Sequence, residues 1–140
     1  MRMSLRWMPL LVLALVVFAA QAAGGRQRAK LEQAQNAYAA AIRWGDFESA
    51  WRFVEPAYAE AHPMGEFELR RYEQIQVSGY RDLSSQVEPD DTVVRLIEVR
   101  VINRHTQAER TLRYREHWRW DAGAKRWWLA GGLPDFWDGE

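Results

Sequence analysis

The chain has 140 residues, enough for one domain, and its 19 basic and 19 acidic residues leave a formal charge of zero. That balance argues against a nucleic-acid binder, whose domain is ordinarily strongly basic. The absence of cysteine excludes a disulfide framework, thiol chemistry and a lipid-modified cysteine behind a leader.

The N-terminus reads as a leader. Arg2 and Arg6 form a short positive region, Leu10 to Ala20 is apolar throughout, and Ala20-Gln21-Ala22 matches the small-x-small cleavage rule. A signal peptide over residues 1–22 would leave a mature chain from Ala23 with 17 basic against 19 acidic residues, near −2. The rival reading is an uncleaved anchor. The uncharged run from Trp7 to Gly25 is 19 residues long, close to the roughly 20 that span a bilayer. Either reading places the folded part outside the cytoplasm: periplasmic or secreted in the first case, held at the inner membrane in the second. The remaining length is enough to bury a core, and its aromatic residues make that core heavy.

Gly24 to Lys30 is polar and basic and reads as a frayed entry. From Ala29 the pattern is helical, with Leu31, Ala34, Tyr38, Ala41 and Ile42 on one face. Gly45 suits the left-handed end of that helix, and Asp46 is a good N-cap for the next one. Phe47, Ala50, Trp51 and Val54 continue as a second apolar stripe, which Pro56 should end. A third short helix is expected in "HPMGEFELRRY", with Pro63 at its first position.

After Tyr72 the period changes to two, with Ile75, Val77 and Gly79 alternating against Gln74, Gln76 and Ser78. "LSSQVEPDD" reads as a polar loop with at most a short edge strand. "TVVRLIEVRVIN" and "AERTLRYREHWRW" are long strands joined by the turn "RHTQ". "DAGA" turns the chain into a last strand, "KRWWLAGG", with the tail "LPDFWDGE" as a candidate continuation. Helices first and an antiparallel meander after them imply an α+β domain with the helices on one face of the sheet.

The turn at "RHTQ" sets a register. A two-residue turn at His105-Thr106 or a four-residue loop from Arg104 to Gln107 puts Leu112 opposite Val99, Tyr114 opposite Ile97, Glu116 opposite Arg95 and Trp118 opposite Val93. Opposed residues share a face, so this face is aliphatic and aromatic except for Glu116 and Arg95. The other face carries Arg113, Arg115, His117 and Arg119 and reads as solvated, balanced by Glu98 and Glu109, or as a contact for an acidic partner. For the last hairpin, pairing Trp120 with Lys125 puts Trp118 opposite Trp127 and Glu116 opposite Leu129. Trp118, Trp120, Trp127 and Leu129 then form one apolar wall.

A carboxylate on an apolar face pairs, shifts its pKa or sits where the face opens. Glu116 therefore has two readings. It is a structural ion pair with Arg95, or it is a pocket acid or base with Arg95 and Tyr114 as supporting polar groups. Tyr38, Trp51, Trp118 and Trp127 are the candidates for the pocket or core wall. His62, His105 and His117 lack metal-ligand spacing, so no metal is expected, and no cofactor motif is present.

Taken together, the Trp44-Gly45-Asp46-Phe47-x-x-Ala50-Trp51 junction, the proline and short helix after it, and the long strands ending in the run from Trp120 to Leu129 resemble the nuclear transport factor 2-like superfamily. Ketosteroid isomerase and the polyketide cyclases belong to it. The resemblance covers residues 26–137. It implies a cystatin-like cone, in which N-terminal helices pack in the concavity of a curved antiparallel sheet and leave a pocket at the open end. The enzymes of that superfamily place an aspartate, or a histidine and aspartate, inside the cone, and no matching motif occurs here. Fold does not fix function. The expectation is an exported, non-catalytic domain that binds a partner protein or a small ligand. The alternative is a small isomerase, dehydratase or hydrolase using Glu116. No nucleic acid is expected, and membrane contact is expected only through an uncleaved N-terminal segment. Domains of this kind often dimerise through the outer sheet face, so a homodimer is open.

Overall fold

The computed structural model describes the backbone of residues 8–137 and the side chains of residues 22–137. Of the leader read over residues 1–22, residues 1–7 and the side chains of residues 8–21 lie outside the described residues. The chain is α+β, with four helices preceding a curved four-stranded antiparallel sheet.

Helix α1 spans Met8–Trp44. It passes through Gly24 and Gly25 without a break, so the expected frayed entry from Gly24 to Lys30 is helical. Two glycines cost about 1 kcal/mol each in a helix interior, and long-range contacts hold this stretch in place. The Trp127 indole Nε1 donates to the Gln27 carbonyl at 2.8 Å, and Lys30 Nζ donates to the Lys125 carbonyl at 2.9 Å. Further along, Tyr38, Ala39, Ala41 and Ile42 are buried and Leu31 and Ala34 half-buried, which is the stripe read from the period. Gly45 ends the helix at a φ of 71°. Among the described residues no helix is long and apolar enough to cross a membrane.

Asp46 caps α2 (Phe47–Trp51), accepting from the Ser49 amide at 3.1 Å. The apolar stripe of this helix was expected to run to Val54, but the helix stops earlier. Residues 53–55 instead pair by backbone with the last strand: Leu129 N donates to Phe53 O and Glu55 N to Leu129 O. An edge strand with free amides and carbonyls outcompetes one more helical turn, and the edge is covered in the process. Pro56 then opens a helix, α3 (Pro56–Ala61), since a first helical position needs no N–H. Pro63 does not open one. Helix α4 (Glu66–Glu73) starts after Gly65, whose amide donates to Glu68.

The sheet is a meander of β1 (Ile75–Val87), β2 (Val93–Asn103), β3 (Glu109–Asp121) and β4 (Arg126–Ala130). β1 is far longer than expected, because "LSSQV" is strand and not loop. An edge strand needs only its backbone to pair, so a polar sequence with both faces wet can still hold the ladder. Two bulges, at Val77/Gly79 and Asp82/Ser84, interrupt the β1–β2 ladder and bend it.

The β2–β3 register is the one read from the sequence, with Glu116 opposite Arg95. The four-residue loop is the one formed. Asn103 and Ala108 close it, the Asn103 side-chain oxygen accepts from the His105 and Thr106 amides, and Gln107 takes a φ of 60°. The β3–β4 turn repeats this device: Asp121 Oδ1 accepts from the Gly123 and Ala124 amides, and Lys125 takes a φ of 52°. Lys125 thus belongs to the turn and cannot face Trp120. The ladder pairs Trp120 with Trp127 and Trp118 with Leu129. This corrects the expected register by a two-residue slide that leaves each side chain on its original face, so the apolar wall survives.

The tail does not extend β4. It turns back from Gly131, and Phe136 enters the core against Phe47 and Tyr72. The Tyr72 hydroxyl donates to the Pro134 carbonyl at 3.0 Å.

Candidate functional site

β2 and β3 bring Arg95, Tyr114 and Glu116 together on the inner face of the sheet. Glu116 is 2% exposed and Arg95 7%. Arg95 donates to Glu116 Oε2 from Nε at 3.2 Å and from Nη2 at 2.8 Å, and the Trp118 indole Nε1 donates to the same oxygen at 3.0 Å. Oε1 accepts from the Tyr114 hydroxyl at 3.3 Å and from the Tyr80 hydroxyl. Tyr80 OH in turn accepts from Arg95 Nη2 at 3.1 Å. Both carboxylate oxygens are saturated, which is what a buried charge requires to persist.

The surrounding groups are set by this carboxylate. Burial and then the charge of Glu116 push the Tyr80 hydroxyl far up. Burial, with its tyrosine neighbours and Glu116, does the same to Tyr114. Both therefore stay neutral and serve as donors. Burial, the largest single influence, lowers Arg95, but the charge and hydrogen bond of Glu116 together with Tyr80 and Asp82 outweigh it and the guanidinium is raised.

Tyr38 and Trp118 meet edge-to-face above the cluster, 5.5 Å between centroids. Burial, followed by the Glu116 charge, raises the Tyr38 hydroxyl as well. Trp127 lies beside Trp120 at 5.6 Å, further along the wall. Trp51 stands apart, against Tyr58 at 6.4 Å, and borders a cleft of about 450 Å³ with His62, Met64, Tyr72 and Leu133.

Tyr80 is the member that strict alternation misses. A period of two puts it with Gln76 and Ser78, on the face opposite Val77. The bulge at Val77/Gly79 adds one residue and turns Tyr80 inward, opposite Val99. The glycine inside the strand was the available signal, since such glycines often mark bulges. Trp118, read as wall, is also a donor to Glu116.

Five clefts of the described surface, of about 300 to 480 Å³, lie elsewhere. Glu116, Arg95 and Tyr114 border none of them, and Tyr80 borders one with Gly79, Arg81, Glu98 and Arg100. No group of three histidine or acidic side chains among the described residues converges in a way that could hold a metal ion.

On the outer face Arg113, Arg115, His117 and Arg119 are exposed. Glu98 bridges Arg113 at 2.9 Å and Arg81 at 2.8 Å, Glu109 lies 3.9 Å from Arg100, and Glu55 pairs with Arg119. The row is a solvated face laced with glutamates. No family model, curated protein or solved structure matches this chain.

Proposed function

We propose that this is an exported, non-catalytic domain of the nuclear transport factor 2-like kind, whose helices lie in the concavity of a cone-shaped sheet behind an N-terminal leader, and that it binds a partner protein or a small ligand. One observation carries the non-catalytic part. Glu116 spends both oxygens on Arg95, Tyr80, Tyr114 and Trp118, is 2% exposed and borders none of the five clefts described above. A general acid or base must come within hydrogen-bond reach of a substrate atom, and a saturated, covered carboxylate does not. The order of helices before a bulged antiparallel sheet supports the cone reading, and the leader-like N-terminus supports export.

The test is a native intact-mass spectrum of the protein expressed from its full gene and released gently. The expected result is a species starting at Ala23 that carries extra mass, either a small ligand lost on denaturation or a partner chain. Glu116→Gln should retain that mass wherever it folds. A bare chain whose turnover of an added substrate disappears in a folded Glu116→Gln variant would overturn the reading.

A further inference from the structure

Two groups of cations stand out on the surface of the domain. Arg81, Arg100, Arg113 and Arg119, on the outer sheet face, each pair with a glutamate. A second group gathers at the opposite end of the chemistry: Arg26, Arg28 and Lys30 on α1, and Lys125 and Arg126 at the β3–β4 turn. All five are exposed, and among the described residues none forms an ion pair. The fold brings them together. Lys30 Nζ donates to the Lys125 carbonyl at 2.9 Å, and Arg26, Lys30 and Lys125 line one cleft with Trp120. Lys30 lies 5.8 Å from the Trp120 ring and the Arg126 guanidinium 3.6 Å from the Trp128 ring. The acidic groups nearby offset the patch only in part. Glu32 on α1, Asp91 across a neighbouring cleft from Arg28 and Asp121 opposite Arg126 are three carboxylates against five cations.

This patch sits where α1 continues without interruption into the apolar run from Leu10 to Ala20. We infer that this end of the domain is a docking surface for an anionic phospholipid membrane, with the β3–β4 turn as a second point of contact beside the N-terminal helix. At about 1.5 Å per residue, Arg26 follows Ala22 by about 6 Å and Lys30 by about 12 Å. In the unprocessed chain, before cleavage ahead of Ala23, an apolar segment seated in the bilayer would hold the patch at headgroup level, within roughly a Debye length of the surface. Tryptophans favour that interface, and clustered Lys and Arg beside an apolar helix are attracted to anionic lipid. The inference stands whether or not the domain turns over a substrate.

The test is amide hydrogen exchange of residues 122–126 in the full chain, reconstituted into vesicles of phosphatidylcholine alone or with one-third phosphatidylglycerol. Two turn cations correspond to roughly a thirtyfold preference for the anionic surface. The turn should therefore exchange at least several-fold more slowly in the phosphatidylglycerol vesicles, and salt should reverse the effect. Lys125→Glu with Arg126→Glu should abolish the difference, whereas Arg81→Glu, on β1 at the opposite edge of the sheet, should leave it. Equal exchange in both vesicles would overturn the inference, as would protection that survives the turn charge reversal or is lost equally with Arg81→Glu. The turn substitutions lie on exposed side chains, and retention of the β2–β3 protection pattern would show that they fold.

Discussion

Glu116 opposite Arg95 and Glu98 opposite Arg113 are two rungs of one ladder, on the same pair of strands. They use the same two residue types and face opposite ways. The inner pair is closed off at 1% and 8% side-chain exposure, with three further donors on the carboxylate. The outer glutamate is 17% exposed and its arginines 64% and 68%. The residue types and the strand pair are shared, so what separates the two rungs most is burial. Inside, each charge is costly unless the other is present. Outside, water stands in for either partner.

The largest expected effect is on the inner pair. Arg95→Met should cost about 3–5 kcal/mol in denaturant unfolding, because it leaves a buried carboxylate without its counter-charge. Arg95→Met with Glu116→Gln should cost less than Arg95→Met alone: no charge is stranded, and the amide oxygen in the Oε1 position still accepts from Tyr80 and Tyr114, although the Trp118 indole loses its acceptor. Strictly additive losses would break the distinction between the two rungs.

Alkaline titration sharpens it next. Tyr38, Tyr72, Tyr80 and Tyr114 all have raised hydroxyls, each through burial first, and Tyr72 is pushed up to about 12. A folded-state pKa above the unfolded value of 10.0 favours the folded state fully below pH 10. That contribution is lost as pH rises beyond 10, through about 12 for Tyr72. Absorbance of tyrosinate should thus rise for these four together with loss of the fold. Four independent ionisations near pH 10 with the fold intact would show that the inner face is wet.

A smaller effect is expected at the turn that assigns the faces. Asn103→Ala removes the acceptor for two loop amides and should cost about 1 kcal/mol, read as a lowered unfolding midpoint with an unchanged slope.

The smallest is on the outer rung, where Glu98→Gln should shift the unfolding midpoint by no more than its error at neutral pH. Arg113 foremost, and Arg81 with it, hold the Glu98 carboxyl below its ordinary 4.5. Whatever it contributes is present above that value and lost as pH falls through the lower folded-state pKa. Wild type and variant should therefore converge in acid. A Glu98→Gln loss as large as that of Arg95→Met would erase the contrast.

Local chemistry made much of this legible. The stripe from Leu31 to Ile42, the Gly45–Asp46 junction and the β2–β3 register follow from side-chain period, capping and turn length, which involve only near neighbours in the chain. That register was enough to oppose Glu116 and Arg95 and to bring Tyr114 alongside. Competition between distant segments decided the rest. Residues 53–55 left their helix to cover the β4 edge, "LSSQV" paired as a strand because its backbone had a partner, and Phe136 turned back because the core had a place for it. Tyr80 reached Glu116 through a bulge that displaced the alternation by one residue. Whether Glu116 is accessible was likewise settled by Tyr38, Tyr80 and Trp118 closing over it. The sequence by itself determined which residues oppose one another across β2 and β3, since that turn and those periods are local. Only the tertiary structure decided what is covered, since burial depends on segments far apart in the chain.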